Sequence, residues 1–157
     1  TVIANRARLE SDLSLPIQFM EQVHGNAVAT IGGQIVSPPT ADALITRKTG
    51  IGLAVMVADC IPLLLASSQT VAAVHVGRKG LMNGVALEAI HEIHSHGGSD
   101  ITAVVGPAIC GQCYEVSQEI YGKSVKEVQK FWLSVVFQGK AKTPYFFDTS
   151  SKIFIFA

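Results

Sequence analysis

Three short stretches of this 157-residue chain combine side chains that ligate metals with residues that break regular backbone: Gln22-Val23-His24-Gly25, Ala58-Asp59-Cys60-Ile61-Pro62 and His75-Val76-Gly77-Arg78-Lys79-Gly80. Two imidazoles and one thiolate, from His24, His75 and Cys60, would leave the fourth position of a tetrahedral zinc ion open, as a catalytic site requires. A structural site would normally be closed by a fourth protein ligand. Each residue also has a plainer reading. A histidine in a turn is commonly a hydrogen-bonded surface residue, a cysteine beside strand material a small buried apolar group, and a histidine ending an apolar strand a satisfied core residue. The intervals of 36 and 15 residues match no general zinc-finger pattern, so spacing leaves both readings open.

Two other clusters have chemistry-bearing composition. Cys110-Gly111-Gln112-Cys113 has redox or zinc spacing, but no second CxxC pair accompanies it. His91, His94 and His96 fall at a predicted helix end, where imidazoles hydrogen-bond or face water.

The surrounding pattern predicts how these residues are held. A helix ends over Asn5 to Leu13, and strand material at Ile17 to Val23 and Ala27 to Ile31 flanks the turn-forming His24-Gly25-Asn26. Ala43 to Thr46, Gly52 to Val57 and Pro62 to Ala66 read as short buried strands, which puts Asp59 and Cys60 in the gap between two of them. Thr70 to His75 reads as a central strand, with Gly77 and Gly80 easing a tight connection into a helix from Leu81 to His94, stopped by Gly97-Gly98. Ile101 to Val105 reads as a further buried strand, and a second helix is expected from about Ser117 to Leu133, with Val125, Val128 and Trp132 on one face. Tyr145 to Asp148 is loop or strand entry, and the chain ends in the apolar Ile153 to Ala157. Strands alternating with helices give a mixed α/β (α+β) fold, one domain over residues 1–157 with mixed sheet layers flanked by helices.

Composition narrows the function classes. With 48% hydrophobic and 15% charged residues the chain can bury one core, and twelve basic residues balance twelve acidic ones. No net field draws it to nucleic acid or an anionic membrane. The apolar runs at Ile51 to Val57 and Ile61 to Ala66 are too short to span a bilayer, and no stretch of signal-peptide length opens the sequence, which predicts a cytoplasmic protein.

The words around the candidate ligands carry a more specific signal. Gln22-Val23-His24-Gly25, Ala41-Asp42-Ala43-Leu44, Ala58-Asp59-Cys60-Ile61-Pro62, His75-Val76-Gly77 with Gly80, and Gly106-Pro107-Ala108-Ile109 through Cys113-Tyr114-Glu115-Val116 resemble, in order, the laccase-domain purine nucleoside phosphorylase family, once called multicopper polyphenol oxidases. The resemblance covers about residues 5 to 120. It implies that His24, Cys60 and His75 are metal ligands, with zinc the usual ion and copper reported. It also implies phosphorolysis of adenosine, inosine and methylthioadenosine, and deamination of adenosine, on a purine nucleoside and phosphate, by a monomer or homodimer. Cys60, His75 and Asp59 then form the catalytic group, Asp59 as proton carrier, while Arg78 or Lys79 holds phosphate by charge-assisted hydrogen bonds and Tyr114 stacks on the purine.

The chain departs from that family in specific places. The common word is His-Ala-Gly-Trp-Arg-Gly, whereas Arg78 stands at the Trp position and Lys79 at the Arg position, which weakens or shifts bidentate oxyanion binding. The family's N-terminal Thr-Arg-x-Gly-Gly-Val-Ser-like motif and most of its region after Phe147-Asp148 are not matched, an expectation of a copy truncated at both ends or frameshifted. Two alternatives therefore accompany the metal-dependent enzyme: a Cys-His hydrolase that uses Cys60 as a thiolate activated by His75 without metal, and a non-catalytic truncated paralogue. Copper-dependent polyphenol oxidation would need several copper sites, and three ligands make one.

Overall fold

A computed structural model describes residues 1–110, 113–123 and 153–156. Two mixed sheets carry the fold. The five-stranded sheet has the order β2-β3-β6-β5-β7, built from β2 (Val28–Ile31), β3 (Ala43–Thr46), β5 (Ile61–Ala66), β6 (Val71–Val76) and β7 (Thr102–Val105). The second sheet is three-stranded, β1 (Ile17–Gln18), β4 (Gly52–Met56) and β8 (Ile153–Phe156), with β4 in the middle, parallel to β1 and antiparallel to β8. In the larger sheet β2 runs parallel to β3, and the remaining neighbours are antiparallel.

Alternation along the strands sorts the core into layers. Ala43 and Ile45 of β3 and Ala72, Val74 and Val76 of β6 face α3 (Val85–Ser95), where Val85, Ala86, Ala89 and Ile93 meet them. Leu44, Leu64 and Ala73 point the other way and pack with Leu53 and Val55 of β4, which joins the two sheets. The opposite side of β4 presents Ala54 to Ile17 and Phe19, and Leu9 of α1 (Val2–Leu13) closes over them. The expected mixed α+β class with sheet layers and flanking helices is the class found.

Several elements differ from the sequence expectation, each for a local reason. The helix expected from Leu81 to His94 is two helices, α2 (Arg78–Met82) and α3, because Gly84 takes a left-handed conformation at φ 78° between them. Its stop is as expected: the N–H of Gly98 reaches Ile93 O at 2.9 Å and that of Gly97 reaches His94 O at 2.9 Å, a glycine-based C-terminal cap. The strand expected from Ile17 to Val23 ends at Gln18. Further on, the Gln22 side chain replaces backbone pairing: its Nε2 donates to Met56 O (2.7 Å) and its Oε1 accepts from Met56 N–H (2.9 Å). β7, expected to be buried, is mostly exposed and, among the described residues, an edge strand paired with β5. Of the helix expected from Ser117 to Leu133, residues 118–123 are helical; Val125, Val128 and Trp132, like Tyr145 to Asp148, lie outside the described residues. Among the described residues no helix is long and apolar enough to cross a membrane.

Candidate metal centre

One end of the five-stranded sheet gathers the chemistry. Asp42 immediately precedes β3, Cys60 immediately precedes β5, and His75 is the penultimate residue of β6. Antiparallel pairing sets Pro62 opposite His75 and Ile61 opposite Val76, which carries Cys60 to the same edge. His24 reaches that edge from the loop between β1 and β2, at φ 61°. This left-handed conformation is uncommon for a residue with a side chain, and Asp42 over-determines it. The Asp42 carboxylate accepts the N–H groups of Val23 (3.2 Å), His24 (2.9 Å) and Gly25 (2.7 Å) in one clasp.

The ligating atoms of His24, Cys60 and His75 all lie within 4.8 Å of one another. His24 Nε2 is 3.8 Å from Cys60 Sγ, and the two imidazoles meet edge-on with centroids 4.7 Å apart. His75 is buried, and its Nδ1 lies 2.8 Å from Asp42 Oδ1. Nδ1–H donating to that carboxylate leaves the Nε2 lone pair free, the tautomer a metal-binding histidine needs. Gly77 makes the convergence possible, since a Cβ there would stand 2.6 Å from His24 Cδ2 and 3.3 Å from Cys60 Sγ. The donor set, its spacing and its oriented imidazole fit a tetrahedral ion with one open position.

The electrostatics agree with that fit. Burial pushes the Cys60 thiol up, and the Asp59 and Asp42 carboxylates push it further. A thiol so held is the reverse of an activated nucleophile, while a divalent cation would ionise it directly. At Asp42 burial raises the carboxyl, but the His75 contact and the N–H groups of Gly25, Val23 and His24 outweigh it and hold the group below its ordinary value of 3.8. The ionised carboxylate therefore stabilises the folded chain above pH 3.8, and that contribution is lost as pH falls through the lower folded value. Thermal unfolding followed into the acid range is expected to show a flatter decline in melting temperature for Asp42→Asn than for the wild type; identical slopes would remove Asp42 as the acid-sensitive group.

A cleft of about 350 Å3 adjoins the cluster at Cys60. Its lining combines Cys60 and Gly77 with the apolar Ile61, Val76 and Leu81 and with Asp59, Arg78, Tyr114 and Tyr121. Of the residues expected at the site, the structure brings His24, Cys60 and His75 into one cluster and Asp59, Arg78 and Tyr114 into the adjoining cleft. Lys79, the next residue of α2, is exposed and stands outside that lining. Arg78 is half-buried and makes no ion pair among the described residues. Two participants carry no role in the sequence reading. Asp42 is signalled only as a motif word, although a lone carboxylate beside the buried strand Ala43–Thr46 is a residue that needs a partner. Tyr121 has no local signal and enters through the helical turn at 118–123. Cys110 and Cys113 are exposed and take no part in the ligand cluster, and His94 caps the backbone at Gly98 O (2.8 Å).

Comparison with known proteins agrees with the motif reading. The model of the multi-copper polyphenol oxidoreductase laccase family matches residues 1–152, a longer stretch than residues 5 to 120 on which the motif words lie. A protein of Streptomyces griseus named purine nucleoside phosphorylase is 41% identical over 140 residues, covering 82% of this chain and 56% of that protein. One of Rickettsia conorii with the same name is 40% identical over 107 residues, covering 67% of this chain and 45% of its own. Among solved structures, the hypothetical protein YfiH of Bacillus licheniformis superposes with a TM-score of 0.72 at 27% identity over 78% of this chain and 52% of that one. YlmD from Geobacillus stearothermophilus gives 0.71 at 26% identity, over 87% and 54%. The chain spans about half the length of the curated relatives it matches.

Proposed function

The chain belongs to the multi-copper polyphenol oxidoreductase laccase family, and from that premise we propose that it is a metal-dependent purine nucleoside enzyme of the cytoplasm, a single domain that cleaves nucleosides by phosphorolysis and deaminates adenosine. The observation that carries the reading is that Cys60 of the His24, Cys60 and His75 cluster also lines a cleft shared with a cation, Arg78, and two tyrosines. Relatives named purine nucleoside phosphorylase support the substrate class. The same donors suit zinc, with copper as the second choice.

His24, Cys60 and His75 would hold a divalent ion, which would supply Lewis-acid polarisation there. The chain's own residues do the rest. Arg78 binds phosphate and presents one of its oxygens to the anomeric carbon of the ribose as the bond to the base breaks. Tyr114 and Tyr121 offer ring faces to the purine, while Ile61, Val76 and Leu81 keep water from the reacting face. Asp59, exposed at the mouth of the cleft, relays a proton between the departing base and solvent. His75, locked by Asp42, does not move during this sequence.

The test is elemental analysis of the purified chain paired with assays of inosine and adenosine, each with and without phosphate. Phosphate-dependent hypoxanthine from inosine and phosphate-independent inosine from adenosine are the expected products; no turnover at metal saturation would leave only the non-catalytic reading. Within this scheme Arg78→Ala is expected to raise the KM for phosphate about tenfold or more, the worth of a charge-assisted hydrogen bond, while Lys79→Ala leaves it nearly unchanged. Equal effects at the two positions would move the phosphate off the Arg78 side of the cleft.

A further inference from the structure

We infer that Cys110 and Cys113 form a redox-active dithiol beside the cleft, a site of reversible disulfide formation whose oxidant is a small-molecule disulfide. Both thiols are exposed, and their sulfur atoms are 2.8 Å apart. The N–H of Cys113 donates to Cys110 O at 3.0 Å. A disulfide bond is about 2.05 Å long, so the pair reaches it by an approach of less than about 1 Å. Cys60 does not compete for this chemistry, because it is half-buried against His24.

The exchange balances without any electron carrier. One thiolate of the pair attacks a sulfur of the small disulfide RSSR, forming a protein–SR mixed disulfide and releasing one RSH after protonation. The second protein thiolate attacks the mixed disulfide at the protein sulfur and releases the other RSH. Two protein thiols are oxidised to one disulfide, and one RSSR is reduced to two RSH.

The dithiol is connected to the cleft on both sides. Ile109, adjoining Cys110, lines the cleft and donates its N–H to Asp59 O at 3.0 Å, and Tyr114, adjoining Cys113, forms another part of the wall. The disulfide would therefore link the chain beside Ile109 covalently to the chain beside Tyr114.

The zinc-loaded wild type, Cys110→Ser and Cys113→Ser are exposed to oxidised glutathione, alkylated with N-ethylmaleimide and mapped by peptide mass spectrometry. The wild-type peptides carrying Cys110 and Cys113 are expected to lose two hydrogens, retain no glutathione and recover alkylation after dithiothreitol, while each serine variant keeps one glutathione on its remaining thiol of the pair. Alkylation of both thiols, a glutathione retained by the wild type, a bond that includes Cys60, or a bond between two chains would each overturn the inference. If a variant does not fold, the wild-type map decides alone.

Discussion

Substituting Asn for Asp42 is expected to weaken zinc binding about 10- to 100-fold, the usual cost of losing the outer partner of a metal-bound histidine. The geometry gives Asp42 a double hold on the donor set. Oδ1 meets both His75 Nδ1 at 2.8 Å and the His24 N–H at 2.9 Å, and Oδ2 takes the N–H groups of Gly25 and Val23. An amide keeps the shape but turns one acceptor into a donor, so an NH2 faces groups that themselves donate. Asp42→Ala goes further. It orphans three backbone donors and a buried imidazole N–H together, and about 3 kcal/mol or more of stability should go with them, at about 1 kcal/mol or more for each buried donor left unsatisfied. Competition against a chromophoric chelator measures the first effect and thermal unfolding the second. A folded Asp42→Asn with wild-type zinc affinity would show that the backbone alone positions the two imidazoles.

Cys60→Ser is expected to abolish stoichiometric zinc and to lower phosphorolysis by more than about 100-fold, beyond the range for an outer-partner loss. A serine hydroxyl cannot be ionised near neutral pH as a coordinated thiol is, and the two imidazoles left behind make a weak site. The fold should survive, because Cys60 is half-buried and only borders the cluster around Leu44, Leu64 and Val55. Zinc content by elemental analysis separates this outcome from unfolding, which circular dichroism would report. Full activity in a zinc-free Cys60→Ser would defeat both the metal reading and the thiolate-nucleophile alternative.

The ligand cluster was legible because its three residues stand in ordered words at the ends of strands with strong apolar patterning. Ala43–Thr46 and Gly52–Met56 are buried along nearly their whole length, and burial periodicity is what a sequence shows best. Other features depend on contacts between distant segments. The carboxylate of Asp42 is explained by three N–H groups some 17 to 19 residues earlier in the chain, and by His75, 33 residues later. Gln22 looks like one more polar residue of a strand until its amide is seen standing in for backbone opposite Met56. Leu81, Val85, Ala89 and Ile93 keep helical spacing across the break at Gly84, since α2 and α3 both bury against the same sheet face, so periodicity alone runs straight through it. The exposure of β7 follows from strand order, which local pattern does not encode.

The division between the two sheets also bears on the order in which the protein assembles during synthesis. Among the described residues the strands of the five-stranded sheet lie between Val28 and Val105, and the candidate ligands with their carboxylate partner lie between His24 and Gly77. The other sheet is finished only when Ile153–Phe156 pairs with Gly52–Met56 across about a hundred residues. Closing so long a loop is slow relative to local pairing, and elements made first at the ribosome fold first. The edge that carries His24, Cys60 and His75 therefore pairs in the growing chain before Ile153–Phe156 reaches Gly52–Met56.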